Sequence, residues 1–337
     1  MNLEVCALGH YLAALFANQT MEALHLQAAV ADRTEQRAAL AGLECALEAA
    51  RSGAEPAVAL PLVEPEAYRQ LAIPEVRAHL DALLLCRYAD VGLEVLLQVG
   101  AVAALFPELS RMVGFGDGES HKDVWLHTKQ VVIQSVPRLP VRWGALLHDI
   151  GKPRTRSVTP DGAVHFFHHA EEGARMFERL DRRLGLFAAD PELGAEIRFL
   201  ILHHQRAHQY EEQWTDSAVR RFARDIGASL DDLMALSRAD MTTKRRDKRR
   251  RFLFQLKDLQ ERIAKLAADD AKEPPLPKGL GDELMRVFSL PPSRLIGDLR
   301  RALECAVEAG EIPARQPADA YIEFVRAQPE RFGLPPL

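Results

Sequence analysis

His148 and Asp149 stand side by side at the end of the apolar stretch GALLHDIGKP (144–153). An imidazole and a carboxylate at the inner end of a helix are either a satisfied polar cap or two ligands of a metal. A carboxylate is costly to bury alone, by several kcal/mol, unless a cation or hydrogen bonds compensate it. The surroundings favour the second reading. Nine of the twelve histidines fall between positions 121 and 208.

Placed on helices, these polar residues share faces with apolar ones. In DVWLHTKQVV, His127 lies on one stripe with Val124 and Val131. His169 opens HAEEGARMFERL, in line with Gly173, Phe177 and Leu180. His204 follows Ile197, Leu200 and Ile201 at helical spacing, and His203 sits about 100° round the same helix. Asp240 shares a face with Leu233 and Ser237. Each alone reads as a hydrogen-bonded core residue. Together they read as a divalent metal site of one or two ions. Imidazole and carboxylate donors suit Mn, Fe, Co, Ni or Zn, with Mg at oxygen-rich positions.

The order His127, His148-Asp149, His169, His203-His204, Asp240 resembles that of the HD-domain metal-dependent phosphohydrolase superfamily. DVWLHT, ALLHDIGKP, LILHHQR and SRADMTTK resemble one branch more closely, the HD and C-terminal helical part of bacterial CCA-adding tRNA nucleotidyltransferases and poly(A)-polymerase-type proteins. Residues 91–109 and 284–313 extend this likeness to roughly 85–325. It implies that His127, His148, Asp149 and Asp240 hold a first metal, and that His169, His203 and His204 hold a second or orient the phosphate. Before residue 85 there is no Asp-x-Asp pair, Gly-rich nucleotide loop or Arg-Asp motif. Hydrolysis, not nucleotide addition, is therefore what the resemblance is expected to carry.

The expected chemistry is attack on a phosphate ester by metal-activated water. Asp149 ligates and orients the water. Lys152, three residues on, pairs with the phosphate, and Arg154 and Arg156 border the mouth. His203 or His204 protonates the leaving oxygen. The related domains imply nucleotides or RNA 3′ ends as substrates, including 2′,3′-cyclic phosphates. The run KRRDKRRR (244–251), beginning with Lys244 and Arg245, has seven basic residues and one acidic. It reads as a solvated helix face or as a track for a phosphate backbone. A rival from another class is a non-catalytic RNA- or partner-binding module with a structural metal. Hydrolysis of a signalling nucleotide is a weaker third reading, because no Gly-Tyr-Pro follows His203-His204.

Positioning such a set takes several helices. Helical periodicity runs through 1–50, 75–113, most of 120–262 and 281–327. Pro-rich breaks fall at 52–68 and 272–279. RTRSVTPDGAVHFF (154–167) carries a turn between short Val- and Phe-bearing runs and predicts a small β-hairpin. The expected fold is all-α: an HD helical bundle with flanking N- and C-terminal helices. Its expected parts are 1–82, 83–270 and 271–337. Composition is ordinary for a globular chain of 337 residues, 47% hydrophobic and 27% charged. The net charge of −5 leaves nucleic-acid contact to a local patch. Four well-separated cysteines (Cys6, Cys45, Cys86, Cys305) exclude a disulfide framework. The start shows no basic leader, and no run reaches membrane-spanning length. These features point to the cytoplasm; they give no oligomeric state.

Overall fold

The computed structural model describes residues 33–57, 62–116, 123–243, 245–271 and 274–334. Much of residues 1–50 and Lys244 therefore lie outside the described residues. The fold is all-α with one two-stranded sheet. Helix α1 covers 33–52. It is followed by α2 (Pro65–Arg69), α3 (Ile73–Leu85), α4 (Ala89–Gln98), α5 (Ala101–Leu105) and α6 (Pro107–Ser110). Then come α7 (Val124–Gln134), α8 (Leu139–Leu147), α9 (Lys152–Thr155), α10 (His169–Leu184) and α11 (Pro191–His203). The remaining helices are α12 (Asp216–Ile226), α13 (Leu230–Asp240), α14 (Arg246–Ala271), α15 (Leu280–Val287), α16 (Arg294–Glu308) and α17 (Ala318–Ala327).

Two compact units meet at 262/263 in sequence, within α14. In the first, α8 is the central element. All of Val141–Leu147 is buried, which suits a helix packed on several sides by α3, α7, α11 and α13. Leu200 and Leu236 lie against Gly144 of α8, and Trp125, Ile201 and Leu233 on the surrounding helices are buried as well. The flanking helices begin where the sequence supplies acceptors for free N–H groups. Asp123 accepts from Leu126 N at 3.1 Å to start α7. Asp190, just ahead of Pro191, accepts from Leu193 N at 3.2 Å to start α11. Thr215 accepts from Ala218 N at 3.2 Å to start α12.

The expected hairpin is present. Strands β1 (Ser157–Val158) and β2 (Val164–His165) pair antiparallel, with Ser157 opposite His165 and Val158 opposite Val164. Gly162 takes φ +83° in the turn, a left-handed value that favours glycine. The second unit has its own core, built on Leu284 of α15, Leu299 and Leu303 of α16, and Tyr321 and Val325 of α17. Among the described residues, no helix is long and apolar enough to cross a membrane.

Candidate metal centre

The end of α8, the start of α10, the end of α11 and the end of α13 converge. They bring together His148 and Asp149, His169, His204, and Asp240, with His127 arriving from α7. His148, Asp149, His169 and His204 are buried, and His127 is partly open at the rim.

Close backbone approach makes this convergence possible. Gly151 has a φ of −76°, which any residue can adopt, so its backbone conformation does not call for glycine. Its actual requirement is space. A Cβ there would lie 2.1 Å from His169 O and 2.8 Å from Gly173 N, both backbone atoms. Glycine thus lets α10 start against the His148-Asp149 turn. Gly173 keeps the next turn close, where a Cβ would meet Ile201 of α11 at 3.2 Å.

Three imidazoles are held in the same way. Nδ1 of His148, His169 and His204 lies 2.8, 2.7 and 2.7 Å from the carbonyl oxygen three residues earlier, of Ala145, Phe166 and Ile201. A carbonyl only accepts, so each Nδ1 carries a hydrogen and each Nε2 is the ring nitrogen turned to the interior, with its lone pair free in the neutral rings of His169 and His204. His127 is anchored through Nδ1 to the Thr242 hydroxyl at 2.9 Å. The Nε2 atoms then face one another: His148 and His127 at 3.4 Å, His169 and His204 at 3.2 Å.

Asp149 joins two groups. His127, His148 and Asp149 form one cluster of donor atoms within metal-ligating reach; Asp149, His169 and His204 form a second. Oδ2 of Asp149 lies 3.2 Å from His148 Nε2 and 3.5 Å from His127 Nε2, while Oδ1 lies 3.5 Å from His169 Nε2. Asp240 Oδ1 stands 3.0 Å from His127 Nε2 and 3.6 Å from His148 Nε2.

The electrostatics prepare these groups for a cation. Burial opposes ionisation of Asp149, but His148 and Lys152 outweigh it and hold the carboxyl well below the usual range. Asp240 is likewise held low against burial by His127 and His148. Burial keeps His169 below its usual value and takes His204 down to about 3, with the positive His148 adding to the effect. Ionised carboxylates and neutral imidazoles are the forms that bind metal. Burial also disfavours a charged His148, yet Asp149 and Asp240 raise its pKa to about 10. A proton there does the work that a divalent ion would do, and metal binding would displace it. One further observation fits a cation: Asp149 Oδ1 is buried with no hydrogen-bond partner among the described residues, a state that is costly unless something positive meets it.

The structure also separates residues that sequence could not. Adjacent helical positions point about 100° apart, so His204 turns into the cluster and His203 does not. The His203 ring packs on Phe199 at 4.3 Å between centroids, and His203 is in neither donor group. As an acid for a leaving group, His204 is the wrong form. It is neutral near pH 7, and its one N–H points at Ile201 O. Lys152 lies at the site, with Nζ 2.6 Å from Asp149 Oδ2. Arg154 instead pairs with Glu172 at 3.3 Å. Arg245 is exposed at the foot of α14, where its backbone N–H donates to Thr243 Oγ1 at 3.3 Å.

Two participants escaped the sequence reading. His208 Nε2 lies 3.6 Å from Asp240 Oδ2, and its ring stacks on Phe252. Thr242 holds His127. Spacing offered a hint in each case, four residues after His204 and two after Asp240. A 3-10 turn at Arg206–Gln209 removes the helical register that would have made the first hint legible.

Comparisons with known proteins agree with this geometry. Residues 101–248 match the HD domain family. An A-adding tRNA nucleotidyltransferase of Deinococcus radiodurans is 32% identical over 74% of this chain and 57% of its own length. A CC-adding tRNA nucleotidyltransferase of Thermus thermophilus is 30% identical over 74% of this chain and 56% of its own length. A multifunctional CCA protein of Mannheimia succiniciproducens is 28% identical over 48% of this chain and 40% of its own length. This chain thus spans a little over half the length of the first two relatives. The buried histidine–aspartate cluster, the family match and these relatives lead to one conclusion: the chain carries an HD domain and is homologous to bacterial tRNA nucleotidyltransferases across that domain.

Proposed function

We propose that this chain is a metal-dependent phosphohydrolase acting on nucleotides or RNA ends, 2′,3′-cyclic phosphates among them. The observation that carries the reading is Asp149. It is a buried carboxylate shared by two donor groups, with one oxygen hydrogen-bonded to Lys152 and the other without a donor among the described residues. Structural burial alone gives no reason to leave that oxygen unpaired.

His127, His148, Asp149 and Asp240 would hold a divalent ion, and His169 and His204 a second; such an ion would supply charge for a phosphoryl oxygen and lower the pKa of water beside it. Asp149 fixes the direction from which that water approaches. Lys152 holds Asp149 ionised through a 2.6 Å hydrogen bond and offers its remaining N–H groups to a phosphoryl oxygen. In hydrolysis of a 2′,3′-cyclic phosphate, the water oxygen bonds to phosphorus. The bond from phosphorus to one ribose oxygen breaks, and the proton released by water ends on that ribose oxygen. The product is a phosphomonoester.

The relatives' names connect them with tRNA, and the basic start of α14 supports an RNA end as substrate here. Arg249 lines a cavity of about 200 Å³ together with Gln130, Gln134, Met241, Thr242 and Thr243. Thr242 is also the anchor of His127, so this cationic face adjoins the proposed metal ligands. The same cavity favours a second reading, in which the chain holds RNA and the metal is structural.

Manganese-loaded protein assayed on 2′,3′-cyclic AMP and bis-p-nitrophenyl phosphate decides between them. The proposal expects turnover that Asp149→Ala reduces by at least about a hundredfold. Wild-type turnover no greater than a chelated control would reject it, and RNA retained through purification without turnover would favour the second reading.

A further inference from the structure

The turn that delivers His169 also displays an aromatic face. Phe167 is 63% exposed. Its ring lies parallel to His165, with 4.9 Å between centroids and 9° between planes. His165 belongs to β2, whose pairing with β1 fixes the strand. One face of Phe167 is thus backed by an imidazole while the ring remains largely open to solvent.

The neighbouring residues tie this ring to the metal centre. The preceding carbonyl, Phe166 O, accepts from His169 Nδ1 at 2.7 Å. Lys152 Nζ sits 5.7 Å from the Phe166 ring centre, and that ring in turn packs against Phe115 at 6.2 Å. His168 takes φ +59°, a left-handed conformation uncommon for a residue with a side chain. That conformation bends the chain sharply between the exposed Phe167 and the buried His169. Phe167 therefore stands two residues from a proposed ligand, on the rim rather than in the core.

A hydrophobic side chain displayed singly is ordinary; this ring is held flat by a stacked partner, and its neighbour Phe166 touches both His169 and Lys152. Nucleobases stack on such faces with little regard to sequence. We infer that Phe167, backed by His165, is a stacking platform for the nucleobase attached to the phosphate ester bound beside Asp149 and Lys152. The inference rests on the phosphohydrolase reading for the phosphate's position and extends it to the substrate's base. It makes the chain a binder of nucleotides rather than of phosphate esters in general.

The test compares two ligands that differ only in the base. The methylene phosphonate analogues of AMP and of ribose 5-phosphate have a C–P bond that resists hydrolysis. Their dissociation constants are measured by calorimetry on the full manganese-loaded chain. Wild type is expected to prefer the adenosine analogue by about tenfold. Phe167→Leu is expected to bring the two constants together, and Phe167→Trp to keep them apart. In Phe167→Trp, the adenosine analogue should also quench tryptophan emission more than the ribose analogue does. A wild type that does not discriminate, or a Phe167→Leu protein that discriminates as well as wild type, overturns the inference. Melting curves exclude unfolding of the variants. Turnover is never read, so loss of the hydrolase reading and loss of the stacking platform give different results.

Discussion

Lys152 donates to one oxygen of Asp149 at 2.6 Å, and the other oxygen of that carboxylate, 1% exposed with the rest of its side chain, meets no donor among the described residues. One side of the carboxylate is thus compensated by the chain, and the other faces His169 and His204. This asymmetry separates residues that hold a cation from those that hold the carboxylate.

Asp149→Asn keeps the shape and removes the charge common to both donor groups. Manganese affinity should fall by at least about a hundredfold, measured by titration in metal-buffered solution. Binding within a few-fold of wild type would show that Asp149 is not a ligand.

Lys152→Met keeps most of the stem that runs past Phe166 and removes the ammonium. Manganese content should persist, because an ammonium has no lone pair with which to ligate a metal. Turnover of 2′,3′-cyclic AMP should fall by about a hundredfold. Metal content after dialysis and initial rates distinguish this from general damage. Unchanged rates would remove Lys152 from the phosphate's surroundings.

Gly151→Ala should destabilise the first unit by about 3 kcal/mol or more. The added methyl meets backbone at 2.1 and 2.8 Å, which cannot turn aside as a flexible side chain could. Gly297→Ala is the control. It has open space around it within α16 and should change stability by no more than about 1 kcal/mol, in the stabilising direction. Denaturant midpoints check both, and equal midpoints for Gly151→Ala and wild type would contradict the close approach.

Tyr68 is fully buried beneath α1, with its hydroxyl donating to Val99 O at 3.2 Å and a Cβ added at Gly42 falling 2.7 Å from it. Burial raises its pKa from 10.0 to about 12. Folding therefore favours the protonated phenol. That stabilisation is fully present below the ordinary tyrosine pKa and is lost as pH rises through about 12. Absorbance at the tyrosinate band should show a late step near that pH, absent in Tyr68→Phe. A titration curve that Tyr68→Phe leaves unchanged apart from amplitude would contradict this.

If the start of α14 follows an RNA backbone, Arg245→Glu combined with Arg249→Glu should weaken binding of single-stranded RNA. The double variant should also flatten the dependence of log affinity on log salt by about 0.7 per lost phosphate contact. Filter binding across a salt series measures this. Parallel lines for variant and wild type would assign the run to a solvated face.

The chain's own order of residues made much of this legible. Apolar spacing predicted helices where α7, α8, α10, α11 and α13 are found, and Thr-Pro-Asp-Gly predicted the hairpin, because short-range periodicity and turn chemistry act over a few residues. The histidines and aspartates stood on buried faces for the same reason. Tertiary structure decided the rest. It selected His204 over His203, since the packing of α11 fixes which side of the helix faces inward. It drew His208 toward Asp240 through a 3-10 turn with no helical register to read. It gave Gly151 its purpose through contact with His169 and Gly173, about twenty residues away in sequence. It also turned Phe167 outward beside a buried ligand. Local pattern fixes which residues are polar on an apolar face. Only the packing of distant helices fixes which polar atoms meet, because that depends on distances the sequence does not contain.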